Sequence, residues 1–160
     1  MLTQLPLFLF TYLYFGLIDT YDINNINLHS QQHYNYYLLS AQKWCGDRWQ
    51  IHGLWPQTTP HLYPTYCEVV IYNPPNNFLL NEMNTCWDTC NKNKTELWEH
   101  EWIKHGSCVK HQMGINEYEY FGIAIDMFES SKWKLQNCSG NQCILGCFNL
   151  DYEMILCPQF

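Results

Sequence analysis

The densest cluster of reactive side chains in this sequence is His100-Glu101-Trp102-Ile103-Lys104-His105, which puts two histidines, a glutamate and a lysine within six residues. On a helix, at about 100° per residue, His100 neighbours Lys104 and Glu101 neighbours His105, and the two pairs share one broad face. A solvated helix carries such a face at no cost, whereas a face turned inward needs a reason to bury four ionisable groups. A second cluster supplies one. In Ile51-His52-Gly53-Leu54-Trp55-Pro56 a histidine sits at a strand end, beside a glycine and just before a tryptophan. Two such sites in one chain point to a common cleft.

Several chemistries use histidines in this way. His100-Glu101 followed by His105 is similar to a metalloprotease helix, but there the two histidines lie four residues apart, and a spacing of five rotates the second off the face of the first. A metal is therefore not expected, and neither is a cofactor. The sequence has no Gly-rich phosphate loop and no Ser or Cys nucleophile pattern. Two His, a Lys and a Glu are suited to acid-base phosphoryl transfer on a substrate that brings its own nucleophile, and RNA does so in its 2′-OH. One neutral histidine would remove that proton while one protonated histidine donates to the departing 5′-oxygen, each step worth roughly 10² to 10⁴ in rate. Lysine and a further histidine would steady charge on the phosphorane oxygens. DNA lacks the 2′-OH, so the expected partner is single-stranded RNA and not DNA. Residue chemistry alone does not say which histidine is base and which is acid.

These side chains must be held by surrounding elements. Residues 36–44 have the aromatic and aliphatic content of a buried strand, ended by Cys45-Gly46, and a second strand starting at Arg48 carries Ile51 and His52. Pro56, Pro60, Pro64, Pro74 and Pro75 punctuate a region of loops, with a short helix around residues 78–86. Better helix signals follow over residues 96–105, closed by Gly106, and from Asn116, where Asn116 and Glu119 have capping-box spacing and Phe121, Ile125 and Phe128 form an apolar stripe. Two short apolar runs, 143–148 and 154–157, read as a hairpin. The class is α+β.

Composition sets the setting. A chain of 160 residues with 47% hydrophobic content suits one domain, over residues 21–160. The apolar run 5–18 is too short and tyrosine-rich to span a bilayer comfortably, and residues 1–20 read as a signal peptide, after whose removal no stable membrane association is expected. Nine cysteines without paired CxxC spacing suit an oxidising compartment, so the protein is expected to be secreted or lumenal. The sequons Asn93-Lys94-Thr95 and Asn137-Cys138-Ser139 agree with that route. Formal charge is −7 with the seven histidines neutral, so at neutral pH the molecule repels a polyanion, which disfavours a stable RNA-binding module. Protonating the histidines near their reference pKa of ~6.5 would cancel most of that charge and points to an acid optimum, in an acidic compartment. A monomer is expected.

Ile51 to Pro56 and His100-Glu101-Trp102-Ile103-Lys104-His105-Gly106-Ser107-Cys108 resemble the two active-site segments of the RNase T2 family. The resemblance extends to Tyr63-Pro64 followed by Cys67, to the strand over residues 38–44, to the helix after the second motif, and to Cys147 and Cys157-Pro158. It implies a central antiparallel sheet with flanking helices, held by disulfides. It also implies His105 as general base, His52 as general acid, and Lys104, Glu101 and His100 as groups that stabilise or bind the phosphate. Trp55, Gln57 and Tyr63 fall where the family stacks and hydrogen-bonds one base. Cys67 with Cys108 and Cys147 with Cys157 are the implied disulfides, leaving Cys45, Cys86, Cys90, Cys138 and Cys143, of which one must remain outside an intrachain bond. The loop after Cys45 is short for the family, and a stretch of helix and strand is missing between about Ser130 and Leu135, so the fold is expected to be reduced in size. The expected function is a secreted endoribonuclease that makes 2′,3′-cyclic phosphates and then 3′-phosphates. The alternative is a secreted, cysteine-rich binding or effector protein with weak catalysis on the same scaffold.

Overall fold

The computed structural model describes residues 33–90, 93–131 and 134–159; the expected signal segment, 1–20, lies outside them. Strands β1 (Tyr36–Cys45) and β2 (Arg48–Gln57) form an antiparallel hairpin. Helices α1 (Asn77–Cys86) and α2 (Lys94–Glu101) follow, then a π-helical turn (Trp102–Gly106), α3 (Ser107–Met113) and α4 (Glu117–Ser131). The chain then returns to the sheet as β3 (Gln136–Ser139), β4 (Gln142–Phe148) and β5 (Met154–Ile155). The sheet is antiparallel throughout, with order β2-β1-β4-β3, and β5 also pairs with β4.

The core lies between the sheet and the helices. Tyr37, Leu39 and Ala41 of β1, Ile51 and Leu54 of β2 and Leu145 of β4 pack with Leu79 and Met83 of α1 and with Tyr120, Phe121, Ala124, Ile125 and Phe128 of α4. Each large aliphatic side chain or phenylalanine among them contributes about 1.5–3 kcal/mol by leaving water. Trp87, Trp98 and Trp102 complete this layer, so many of the described aromatic side chains serve as core volume.

The capping box of α4 closes as its spacing predicts. The Asn116 backbone N–H donates to Glu119 Oε2 at 2.7 Å, and the Glu119 N–H donates to Asn116 Oδ1 at 3.0 Å. The helix expected to stop at Gly106 does not stop there. It passes through the π turn into α3 and ends at Gly114, which adopts φ 73° and bonds its N–H to the Lys110 carbonyl. Gly106 serves another purpose, because a Cβ there would collide with the Trp102 ring. The strand β3 was not among the expected elements, although the two residues that join it to β4, Gly140-Asn141, are a hairpin-turn signal.

Disulfides join Cys67 to Cys108 (2.07 Å), Cys138 to Cys143 (1.95 Å) and Cys147 to Cys157 (2.12 Å). Cys90 is also disulfide-bonded, whereas Cys86 is a buried thiol that donates to the Glu82 carbonyl. The first bond spans 41 residues and on loop-closure entropy alone stabilises the fold by roughly 4 kcal/mol. Among the described residues no helix is long and apolar enough to cross a membrane.

Candidate active site

His52 owes its placement to an irregularity in β2. Ser40 opposes Gly53 and Ala41 opposes Ile51, so His52 is the extra residue of a β-bulge. Residues three apart in a regular strand face opposite sides of a sheet, yet here Ile51 and Leu54 both enter the core. The bulge re-aims the strand between them and turns His52 toward the helices, a use to which bulges beside functional sites are often put. Because β2 is an edge strand, its outward carbonyls lack a ladder partner and must find one elsewhere. Trp87 Nε1 donates to the His52 carbonyl at 3.1 Å, and the fully buried Tyr120 hydroxyl donates to the Leu54 carbonyl at 2.8 Å.

The second cluster is shaped by the π turn. An i→i+5 turn is wider than an α turn and carries residues five apart toward one face. His100 and His105, at the two margins of the broad face on a regular helix, are brought closer by it and line the same cleft. The turn thus brings together two histidines whose spacing on a regular helix would part them as metal ligands; among the described residues no group of three or more His, Cys, Asp or Glu is arranged to hold a metal ion.

The cleft encloses about 290 Å³ and is lined by His52, Trp55, Gln57, Tyr63, His100, Glu101, Lys104 and His105, together with Gln142 of β4. Trp55 stands at its centre. Its ring meets His52 edge-on at 5.2 Å and lies 5.7 Å from His105, and its Nε1 donates to Glu101 Oε2 at 2.9 Å. One indole thus lies against both histidines and holds the Glu101 carboxyl. Gly53 makes this approach possible, since any Cβ there would overlap Glu101 and Trp55. Tyr63, half out of the protein surface, brings its ring to 6.1 Å from His105. Gln57 is buried at the cleft wall. Cys67 and Cys108 tie the Tyr63 loop to the start of α3, where the Tyr66 N–H donates to the Lys104 carbonyl and the Cys67 N–H donates to Ser107 Oγ.

Residues 23–142 match the model of the Ribonuclease T2 family. The chain belongs to that family. Among similar proteins, Ribonuclease T2 of Aspergillus oryzae is 33% identical over 88 residues, covering 45% of this chain and 32% of its own. Ribonuclease T2-A of Mus musculus is 32% identical over 88 residues, covering 52% and 32%. Ribonuclease 1 of Arabidopsis thaliana is 37% identical over 82 residues, covering 48% and 35%. The chain spans about a third of the length of these relatives. The crystal structure of the gametophytic self-incompatibility-associated SF11-RNase of Nicotiana alata superposes with a TM-score of 0.58 over 79% of this chain and 92% of that one, at 18% identity, a likeness of fold.

In this Ribonuclease T2 family cleft the electrostatics follow from burial. His105 is 4% exposed, and burial, followed by repulsion from Lys104, His100 and His52, holds its pKa well below the ordinary value. Burial and then the charges of His100 and Lys104 lower His52 to about 4. His100 is lowered by burial and by Lys104. Glu101, 2% exposed, is raised by burial to about 8 against the opposing pull of the Trp55 hydrogen bond and Lys104. At mildly acidic pH the site therefore holds a neutral carboxylic acid beside imidazoles that give up protons readily.

Sequence reasoning missed three contributors. Gln142 enters the cleft from β4 and donates its amide N–H to Ser40 Oγ at 3.0 Å. Trp87 and Tyr120 hold the bulged strand from outside the cleft. Their contacts cross 35 and 66 residues, and no local spacing encodes them. Both sequon asparagines are exposed: Asn93 caps α2, accepting from the Thr95 N–H and donating to Glu96, and Asn137 sits in the β3 hairpin at φ 43°.

Proposed function

We propose that this protein is an endoribonuclease that cleaves single-stranded RNA without a metal, through a 2′,3′-cyclic phosphate that it then hydrolyses to a 3′-phosphate. The observation that carries this reading is the single cleft in which His52 and His105, from two different elements, flank one tryptophan with Lys104 and Glu101 alongside. His105, kept neutral by its burial, accepts the 2′-OH proton; the 2′-oxygen attacks phosphorus as the P–O5′ bond breaks, and protonated His52 donates to the leaving oxygen. Hydrolysis of the cyclic ester runs the same pair in reverse, with water in place of the 5′-alcohol.

Lys104 and His100 attract the phosphate, whose negative charge in turn offsets their mutual repulsion and favours the protonated acid. Glu101, neutral over the acid range, donates its O–H to a phosphoryl oxygen as charge builds there. Trp55, Gln57 and Tyr63 hold one base. The exposed sequons, the oxidised cysteines and the acid-tuned histidines suit a glycosylated, secreted or lumenal monomer acting in an acidic compartment.

The test is incubation of the folded, oxidised protein with a short single-stranded RNA, and with its DNA equivalent, at acid pH and in EDTA. Cyclic-phosphate ends from RNA only, unaffected by EDTA, are expected. A folded protein that leaves RNA intact, or needs a divalent cation, would overturn the proposal.

A further inference from the structure

Two tyrosines of this chain stand in left-handed backbone conformation, Tyr66 at φ 53° and Tyr152 at φ 66°. A bulky L residue is strained in that region, where glycine or asparagine sits far more easily. For Tyr152 the compensation is visible, since its ring packs against Tyr37 with centroids 5.8 Å apart. Tyr66 has no comparable compensation. Its ring makes no aromatic contact among the described residues, and the residue is 56% exposed. The backbone is nevertheless held firmly, by the bond from its N–H to the Lys104 carbonyl at 2.9 Å, by the bond from Cys67 N–H to Ser107 Oγ at 3.2 Å and by the Cys67–Cys108 disulfide. The fold thus accepts strain in order to keep an aromatic ring in solvent, a pattern that belongs to functional positions.

The position is continuous with the cleft. Tyr63, three residues earlier, lies against His105, and Tyr66 is bonded to the backbone of Lys104, whose side chain lines the cleft. Tyr63 and Tyr66 are both exposed, three residues apart on the segment that borders the cleft. We propose that Tyr66 is a stacking platform for a base of the RNA strand outside the cleft, beyond the two nucleotides that flank the scissile bond. This rests on the ribonuclease reading and adds that the preferred substrate is an extended single strand. The charge balance supports it. At a formal charge of −7 phosphate attraction contributes little at neutral pH, so a strand must be held by short-range contacts, and every base offers a face to an aromatic ring.

The experiment compares Tyr66→Gly and Tyr66→Phe with the wild type on a dinucleotide and on a single-stranded oligonucleotide, with binding of the non-reacting 2′-deoxy oligonucleotide measured by fluorescence titration. Tyr66→Gly relieves the backbone strain, so its Tm should not fall. Its kcat/KM on the oligonucleotide, and its affinity for the deoxy strand, should drop about tenfold, the order expected for one lost base stack. Dinucleotide cleavage should be unchanged, and Tyr66→Phe should behave as wild type throughout. An equal loss on both substrates, or no loss on the oligonucleotide, overturns the proposal. If the wild type cleaves neither substrate the ribonuclease reading fails, and binding of the deoxy strand decides the platform: affinity indifferent to Tyr66→Gly refutes it.

Discussion

The two edges of the sheet solve the same problem in opposite ways. At one edge, β2 is long and bulged, and its outward carbonyls are bonded by Trp87 and Tyr120, side chains delivered from the helical layer. At the other, β3 and β5 have four and two residues, and each is tied by a disulfide to or beside β4, Cys138–Cys143 and Cys147–Cys157. Short edge strands cannot persist on pairing alone and gain from cross-links. The bulged edge is held by these packed side chains, and that is where His52 sits. Packing sets the orientation of a backbone and its side chains closely, whereas a disulfide mainly removes unfolded conformations. The difference predicts that damage to the β2 edge lowers turnover, and that damage to the β3–β5 edge lowers stability with turnover per folded molecule preserved.

The largest effect should come from the histidines. His52→Ala or His105→Ala should lower kcat by about 10² to 10⁴ with an unchanged circular dichroism spectrum, and the double variant should lose little more than the worse single one. Gly53→Ala comes next. Its Cβ meets Glu101 and Trp55, and such overpacking costs about 1–3 kcal/mol, so the thermal midpoint should fall and kcat with it.

Trp87→Phe keeps most of the ring but removes the indole donor to the His52 carbonyl, a loss of about 1–3 kcal/mol. Paired with Cys138→Ser/Cys143→Ser, whose five-residue separation makes the bond worth roughly 2 kcal/mol, it gives the sharpest contrast between the edges. Similar falls in Tm are expected, with kcat reduced only in Trp87→Phe. Equal kcat in both variants would remove the distinction.

A further effect, on the pH dependence of stability, concerns Glu101. Its folded pKa of about 8 lies above the ordinary 4.5, so the folded state holds more protons than the unfolded state between those values. Its contribution to stability is present below pH 4.5 and is lost as pH rises through about 8. Glu101→Gln should remove that dependence, and the Tm advantage of the variant over wild type should grow across the same window in calorimetry. An advantage independent of pH would mean that Glu101 is not buried as a neutral acid.

Much of this was legible beforehand where the signal is local. Asn116 with Glu119 marked the start of α4, and Phe121, Ile125 and Phe128 marked its buried face. The two histidine motifs led to the family and to the cleft. What escaped depends on partners distant in sequence or on departures from a regular period. Gly106 looked like a helix stop because glycine commonly ends helices, yet it is there to admit Trp102. The β2 bulge is invisible to alternation, since it appears only in the pairing with β1. The bond between Cys138 and Cys143 could not be read from spacing, which leaves many connectivities open.

The central claim is that a histidine on a bulged strand and another on a π turn act as an acid-base pair, with His52 the acid. It is tested most directly by the pH dependence of kcat/KM on a dinucleotide, in wild type and in His100→Ala. With His52 at about 4 in the free protein, activity should decline as pH rises above that value. Removing His100, one of the charges that depresses it, should move the declining limb to higher pH. A limb unmoved by His100→Ala, or one set near pH 8 where Glu101 titrates, would contradict the account.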